Sequence, residues 1–449
     1  MPPGGGFTIT NSQMNFQDSV AADVSRRASP KKSAETPVCG SGFESGSQLP
    51  IKTPGKWDAE AVVNHPSPKT RPKENNSRMK LFFISTHRLG FLAVFAAVFS
   101  GCVLKAQVPP TPLDEWRRME QMPPRSYGCG RAELAPVIDG RLDDPAWQIV
   151  PWTQDFVDIE GSDRPQPRYR TRAKMLWDAE YFYVAAELEE PHVWGTLTNH
   201  DAVIFQDNDF EVFIDPDGDR HEYYEFEINA LNTGWDLRLK KPYKDGGPAL
   251  NEWEIPGLKT AVHVKGTLND PANTDAGWTV EIAFPWKVLA EFAHRKTPPA
   301  EGDQWRVNFS RVEWHTDFAD GKYHKLPGLK EDNWVWSPQG IIDLHRPEQW
   351  GYVQFTHRPT GAIHFVPDPA GKAKQRLQEI YYAQRAYRGK NGHWAKSLGE
   401  LDLSVNPKAI NPAEMKLTPD GFEVTVEVRL SRKKTQRWHI REDARVWPD

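Results

Sequence analysis

Cysteine and long hydrophobic runs are both scarce in this chain of 449 residues. Its three cysteines, Cys39, Cys102 and Cys129, are an odd number spread over different regions, so no disulfide framework is predicted. Hydrophobic residues make up 38% of the chain and the mean hydropathy is −0.66. These values allow a folded core but are not those of an integral membrane protein.

An excess of positive charge is also missing. The chain has 56 basic and 61 acidic residues, which gives a formal net charge of −5. Proteins that bind nucleic acids usually present a basic face, so no nucleic-acid partner is expected.

Familiar catalytic motifs are absent from the sequence. It has no phosphate-binding glycine loop, no HExxH, no nucleophile elbow and no CxxC pair. A glycosidase needs only two suitably spaced carboxylates, and Glu211, Glu225 and Glu227 fall on neighbouring predicted strands. Charged residues at alternate strand positions usually just face solvent, so a non-catalytic protein is expected.

Tryptophan, by contrast, is abundant. The chain has 18 Trp beside 38 Pro and 32 Gly. This mixture is typical of short strands, tight turns and aromatic binding faces.

The N-terminal region carries two predicted segments. Residues 1–78 are polar, without a sustained apolar period, and are predicted to be disordered. Residues 79–107 are predicted to be a signal peptide or a lipoprotein signal, because a positive flank precedes an apolar run that ends in Ser100-Gly101-Cys102. Met79 is then the expected start. Cys102 is a candidate lipidation site, and anchoring and simple secretion stay open. We expect a secreted, periplasmic or outer-membrane-anchored bacterial protein that meets a membrane only through this lipid.

Residues 130–356 are predicted to form an all-β antiparallel sandwich. Met175–Trp177 and Tyr181–Leu188 are predicted to form a hairpin around Asp178. Further short strands follow at regular spacing with turn residues between them, and one short helix is expected near Trp286. Four tryptophans lie within apolar patterns and are expected in the core: Trp147, Trp177, Trp278 and Trp286.

Residues 370–449 are predicted to be a small α+β appendage. Apolar residues from Leu377 to Tyr387 recur at helical spacing, with Gly389 as the predicted stop. Alternation from Phe422 to Leu430 predicts a strand, and Trp438–Ile440 can pair back on it. The helix faintly resembles part of pilin-like domains, so this appendage is a candidate contact for a protein partner.

Asp215, Asp217 and Asp219 form a candidate calcium loop, because hard cations bind several carboxylate oxygens on a short segment. The EF-hand pattern is not met, and an ordinary hairpin turn explains the same residues. No other cofactor is expected.

Carboxylates and amides beside aromatic residues indicate a sugar ligand. Sugars stack their C–H faces on aromatic rings and offer hydroxyls to planar polar side chains. Alternation places Glu211, Glu225, Glu227 and Asn229 on one predicted face, opposite an apolar one. Asn333 to Pro338 is predicted to be a loop that carries the large rings of Trp334 and Trp336.

Four blocks in order resemble the carbohydrate-binding module family 9, within the DOMON-like sandwich group. They are residues 138–147, residues 176–185, Asp209–Pro216 and Trp350–Val353. The resemblance implies that two rings hold a terminal sugar while acidic and amide groups bind its hydroxyls. It assigns the rings to Phe205 and Trp336 and the polar contacts to Glu211, Glu227, Asn229 and Asn333. Phe205 stands where the family has Trp, and Glu227 where it has Arg.

The resemblance also implies a link to polysaccharide breakdown, because such modules are commonly attached to xylan-degrading glycoside hydrolases. Two alternatives remain. Other DOMON-like sandwiches bind haem, which needs axial ligands such as His221, His263, His315 or His324. The second alternative is a structural surface protein whose sandwich binds no ligand.

Overall fold

The structure, a computed structural model, describes residues 109–359, 363–404 and 413–449. The predictions for residues 1–78, for the signal at 79–107 and for Cys102 lie outside the described residues. Within the described ranges, no helix is both long and apolar enough to cross a bilayer.

Helices are few. They are α1 (Pro112–Met119), α2 (Pro145–Gln148), α3 (Trp286–Leu289) and α4 (Gly371–Asn391). Short 3₁₀ turns lie at Ile204–Gln206, Tyr243–Asp245, Pro347–Gln349 and Leu398–Glu400.

Strands dominate the described chain. They are β1 (Ser126–Arg131), β2 (Val157–Asp158), β3 (Thr171–Trp177), β4 (Tyr181–Leu188), β5 (Asp209–Asp215), β6 (Tyr223–Asn229), β7 (Gly234–Leu239), β8 (Ala249–Leu250), β9 (Lys259–Lys265), β10 (Gly277–Pro285), β11 (Gln304–Glu313), β12 (Thr316–Ala319), β13 (Lys322–Lys325), β14 (Asp332–Val335), β15 (Gly351–Thr356), β16 (Glu414–Leu417), β17 (Phe422–Arg429), β18 (Thr435–Arg441) and β19 (Val446–Pro448).

The larger sheet has 13 strands in the order β8-β7-β6-β5-β11-β15-β1-β3-β4-β10-β9, with β14 pairing with β11 and β2. It curls so that its two halves face each other across one core. Phe226 of β6, for example, meets Phe284 of β10 edge-on, with ring centroids 5.9 Å apart. The mostly β sandwich is therefore confirmed. The expectation of a purely antiparallel sheet needs correction, because β1 runs parallel to both β15 and β3.

Several local predictions agree with this fold. All four tryptophans expected in the core are buried: Trp147, Trp177, Trp278 and Trp286. The β3–β4 hairpin turns at Asp178, whose Oδ1 accepts the N–H groups of Glu180 and Tyr181. The short helix expected near Trp286 is α3.

The C-terminal residues form a module of α4 and a four-stranded antiparallel sheet, β16-β17-β18-β19. Contrary to the prediction, Gly389 does not end the helix. The helix continues to Asn391, and Gly392 caps it in the left-handed conformation, with φ of 77°. Helix α1 belongs to the same core, since Trp116 stacks on Tyr382 with ring centroids 5.5 Å apart.

The module also holds the segment between β14 and β15. Arg346 donates to the Tyr382 hydroxyl of α4 at 2.7 Å and pairs with Asp343 at 2.7 Å and Glu115 of α1 at 3.3 Å. Residues 341–346 are thus tied to both helices. They lie over the polar face of the sandwich described next.

Candidate functional site

A row of side chains crosses four neighbouring strands on the face opposite the core. The register pairs Trp235 of β7 with Glu227 of β6, Glu227 with Glu211 of β5, and Glu211 with Ser310 of β11. Directly paired residues point to the same side of a sheet, so this row forms one surface. Strands β5 and β6 therefore show the predicted alternation of polar and apolar residues.

Four of the six predicted sugar contacts line one cavity on this face. They are Phe205, Glu211, Glu227 and Asn333. The other lining residues are Ile159, Glu225, Trp235, Leu237, Tyr243 and the cover segment Ile342 to His345. The cavity volume is ≈ 40 Å³. About one or two water molecules fit such a space, so the cavity in this conformation does not admit a sugar ring.

Phe205 reaches the cavity through a backbone contact. It lies in the 3₁₀ turn Ile204–Gln206, and its N–H donates to Glu227 Oε2 at 3.0 Å. Its ring centroid lies 6.3 Å from that of Trp235, with an angle of 32° between the planes. An aromatic pair therefore stands directly beside the carboxylates.

Several buried polar atoms at the cavity have no hydrogen-bond partner. They include Glu211 Oε2, Asn333 Oδ1 and Trp235 Nε1. A buried polar atom without a partner costs about 1–3 kcal/mol, so such atoms are uncommon in folded proteins. Grouped at one cavity, they form a set of acceptors and a donor that a polar ligand can satisfy.

Burial raises the pKa of Glu211 to about 7, while the nearby Ser310 hydroxyl opposes the shift and Glu331 adds to it. Burial, and next the charge of Glu211, raise the pKa values of Asp209, Glu225 and Glu227 well above the usual range. Protonated carboxyl groups both donate and accept hydrogen bonds. At neutral pH the cluster can therefore bind hydroxyl groups both as a hydrogen-bond donor and as an acceptor.

Positive charge is absent from the lining residues that the structure describes. The nearby Lys325 ammonium lies 3.4 Å from the centroid of the Trp314 ring and contacts Gln206 Oε1 at 3.2 Å. It stands outside the cavity. The site is consequently acidic, with no cation built in to receive an anionic ligand.

His345 anchors the cover over the lower part of the cavity. Its Nδ1 lies 3.0 Å from the Tyr223 hydroxyl, and burial lowers its pKa to about 4. A neutral imidazole can accept a hydrogen bond from that hydroxyl. Ile342, at the outer end of the cover, is 56% exposed.

Asn229 and Trp336, the two other predicted contacts, do not line the cavity. The Asn229 amide donates to the Leu197 carbonyl at 2.9 Å and to Asp207 Oδ2 at 3.0 Å, and its oxygen accepts the N–H groups of Leu231 and Thr233. Both the nitrogen and the oxygen of the Asn229 amide thus bond to neighbouring loop and turn residues.

Trp336 packs in the core at 1% exposure, 5.8 Å from the ring of Phe309. The predicted loop around Trp334 is instead strand β14, paired with β11. Strand alternation sends Asn333 to the cavity and Trp334 to the core, and Trp336 follows directly after β14.

Trp235 takes the place of a second ring at the cavity, and the sequence prediction missed it. The signal was available. Trp235 and Leu237 alternate along the strand after Glu227, so pairing β6 with β7 places Trp235 beside that carboxylate.

The candidate calcium residues lie at the other end of β5. Asp215 accepts the N–H groups of Gly218 and Arg220, and Asp219 pairs with Arg445 at 2.9 Å. These bonds are those of a hairpin turn joined to the C-terminal module. Each of Asp215, Asp217 and Asp219 still offers an oxygen within 4.8 Å of the others, so calcium binding stays a prediction.

Three of the four histidines weighed as haem ligands have separate partners. His221 Nε2 lies 2.9 Å from the Asp443 carbonyl, His315 Nε2 lies 3.2 Å from Asp332, and His263 lies on β9 beside Arg141. His324 lies on β13. None of the four lines the acidic cavity.

A wider cleft of ≈ 490 Å³ separates the sandwich from the C-terminal module. Residues of both charges line it, among them Arg306, Glu348, Lys374 and Trp438. Its volume is that of an ordinary ligand pocket, but it holds none of the predicted sugar contacts.

Residues 138–313 match the family model described as carbohydrate family 9 binding domain-like. This match confirms the family resemblance predicted from the four sequence blocks. The matched residues lie within the β sandwich.

Curated relatives resemble the same part of the chain. The exoglucanase XynX of Acetivibrio thermocellus is 28% identical over 154 residues, which are 34% of this chain and 12% of that protein. An endo-1,4-beta-xylanase A of Thermoanaerobacterium saccharolyticum is 27% identical over 154 residues, which are 34% of this chain and 11% of that protein. This chain thus spans only a small part of the length of the relatives it matches.

Two solved structures are similar in fold. One is a carbohydrate binding module family 9 from Caldicellulosiruptor kristjanssonii in complex with cellotriose, with 16% identity, a TM-score of 0.35, and coverage of 54% of this chain and 100% of that one. The other is a putative carbohydrate-binding protein from Bacteroides uniformis, with 17% identity, a TM-score of 0.39, and coverage of 52% and 99%. Likeness at this level bears on neither ligand nor site.

Proposed function

We propose that the sandwich binds a glycan, without catalysis, in the acidic cavity on the β5-β6-β7 face. The observation that carries this proposal is the convergence of Phe205, Glu211, Glu227 and Asn333 on one cavity. Residues that lie far apart in sequence meet there, with buried polar atoms left unpartnered. The match of residues 138–313 to the carbohydrate family 9 model supports the same ligand class.

The polar atoms and the rings have separate roles in this binding. Sugar hydroxyls bond to the open atoms of Glu211 and Asn333 and replace water there. The rings of Phe205 and Trp235 contact the C–H surface of the sugar. Glu227 holds the Phe205 backbone in place, so it positions a ring as well as adding charge.

Binding requires the cover to move, because the closed cavity holds ≈ 40 Å³. Ile342 to Leu344 are the residues to be displaced, and Arg346 is the point at which the C-terminal module holds them. The module therefore restrains access to the site.

Retention in gels that contain soluble xylan, glucan or mannan tests the proposal on the full chain. Wild-type protein is expected to be retarded by at least one neutral polymer, and Glu211→Ala to migrate as if no polymer were present. Trp336→Phe is the matched control, since it alters a ring in the core and none at the cavity. Equal retention of wild type and Glu211→Ala would contradict the proposal.

The setting we propose is extracellular. Curated relatives of this domain are exoglucanase and xylanase enzymes, which supports a link to polysaccharide breakdown. Secretion through residues 79–107 and lipidation of Cys102 belong to the same proposal. Cell fractionation of wild type and Cys102→Ala tests the anchor, which predicts a membrane fraction lost in the variant. The C-terminal module remains a candidate contact for a protein partner.

A further inference from the structure

The imidazole of His200 faces three carboxylates on the far side of β7 from the acidic cavity. Its Nε2 lies 3.1 Å from Glu254 Oε2, 3.3 Å from Asp236 Oδ1 and 3.3 Å from Asp201 Oδ1. The donor atoms of His200, Asp236 and Glu254 all lie within 4.8 Å of one another. One nitrogen and several oxygens thus converge on a small volume.

The other ring nitrogen fixes the orientation of the imidazole. His200 Nδ1 lies 3.0 Å from the carbonyl oxygen of Gly234, so it is the nitrogen that carries the proton in this contact. Metal-binding histidines usually donate their second N–H to a carbonyl or carboxylate in this way. Without a metal, Nε2 donates a hydrogen bond to Glu254 Oε2 at 3.1 Å, so a bound cation would take the place of that proton.

A second observation points to a missing ligand. Asp236 is 2% exposed, and its Oδ1 accepts no hydrogen bond although it is directed into the cluster. Its Oδ2 accepts the N–H of Ile255 at 2.5 Å, which fixes the carboxylate in that orientation. A buried carboxylate oxygen that makes no hydrogen bond, and whose ion-pair contact is His200 Nε2 at 3.3 Å, is a position for a cation.

We propose that His200, Asp236 and Glu254 bind a divalent ion of the zinc type. Tetrahedral zinc holds its nitrogen and oxygen ligands at about 2.0–2.1 Å, which separates neighbouring ligand atoms by about 3.3 Å. The observed separations between Nε2 and the two oxygens, 3.1 Å and 3.3 Å, are close to that edge. An imidazole among carboxylates suits zinc better than the all-oxygen coordination of calcium.

The site joins three separate segments of the chain. His200 precedes the 3₁₀ turn that carries Phe205, Asp236 lies in β7 next to Trp235, and Glu254 follows β8. An ion at this position fixes the segment that bears the Phe205 ring against the strand that bears the Trp235 ring. Its role is structural support of the cavity wall, and the site stands independently of the glycan that the cavity takes.

Metal analysis of the full chain tests this assignment. The protein is dialysed against a chelator and then against Zn²⁺ in excess of one equivalent. The wild type is expected to retain one more equivalent of zinc per chain than His200→Ala. Cobalt in place of zinc is expected to give the visible absorption of a tetrahedral site, which His200→Ala lacks. The melting temperature is expected to rise with Zn²⁺ in the wild type and to rise less in His200→Ala.

His324→Ala, a substitution on β13, is the matched control and is expected to keep the full zinc content. Glu254→Gln, at an exposed ligand, is expected to lower zinc affinity at least tenfold without changing the fold in the absence of metal. Equal zinc content in the wild type and His200→Ala would overturn the proposal. So would a wild-type melting temperature that Zn²⁺ leaves unchanged, because the cluster would then be a histidine ion pair alone.

Discussion

Glu211 and Glu227 stand directly opposite each other on β5 and β6, both buried, with no cation among the described residues that line their cavity. Paired carboxylates of this kind destabilise one another when both ionise. Burial raises the pKa of Glu211 to about 7 and that of Glu227 well above the usual range, so the pair does not carry two full charges at neutral pH. A site under such strain is typical of function rather than of stability.

Replacing Glu211 with Gln should stabilise the protein above neutral pH. The folded pKa of Glu211 is about 7, above its ordinary value of 4.5, so its contribution to stability is complete below about 4.5 and is lost as the pH rises through 7. Gln cannot ionise. We expect Glu211→Gln to gain about 1–3 kcal/mol over the wild type at pH 8, and little at pH 4.5. Urea unfolding at the two pH values measures this difference, and an equal gain at both would contradict the account.

The cavity should not bind anionic glycans. Its described lining residues include four acidic ones, Glu211, Glu225, Glu227 and Asp343, and neither lysine nor arginine, so no cation is there to pair with a uronate carboxylate. Polygalacturonate is therefore expected to retard the protein no more than an empty gel does, whereas a neutral polymer retards it. Retention on polygalacturonate that Glu211→Ala abolishes would show that the charge argument is wrong.

Loosening the cover should speed binding. The Tyr382 hydroxyl accepts a hydrogen bond from Arg346 at 2.7 Å and donates to Glu348 at 2.5 Å. Tyr382→Phe removes both bonds and should cost about 1–3 kcal/mol of stability. It should also raise the association rate for a bound oligosaccharide several-fold, as stopped-flow fluorescence can record. An unchanged rate in a folded Tyr382→Phe variant would mean that the module does not restrain the cover.

Trp336 should matter for stability and not for binding. Its ring fills the core beside Phe309 and over Gly351, where a Cβ would meet the ring at 2.3 Å. Trp336→Ala should therefore lose about 3–5 kcal/mol, because a cavity replaces a buried ring. Thermal unfolding measures the loss. A Trp336→Ala variant with wild-type stability and no glycan affinity would restore the role that the family resemblance assigned to it.

Much of the fold follows from local pattern. Alternation along β5 and β6 placed Glu211, Glu225 and Glu227 on one face, and the Asp178 turn followed from adjacent residues. Trp235 could have been found from the same alternation. The position of Trp336 could not be seen without the register of β14 on β11, which turns the supposed loop into a strand.

The cover and its anchors could not be predicted from the sequence, because long-range contacts hold them. Arg346 meets Glu115 and Tyr382 across long stretches of chain, and no local pattern encodes such contacts. The choice of Gly392 over Gly389 as the helix end depends similarly on which residue adopts positive φ. The convergence of His200 on Asp236 and Glu254 is another long-range contact, made only when β7 and the segment after β8 come together.

Calorimetry on the best neutral polymer tests the central claim most directly, with Glu211→Ala compared against Trp438→Ala. Glu211 lines the acidic cavity, and Trp438 lines the wider cleft beside the C-terminal module. The account predicts that Glu211→Ala loses at least tenfold in affinity while Trp438→Ala binds as the wild type does. Loss of affinity in Trp438→Ala alone would place the glycan in the cleft and contradict the account.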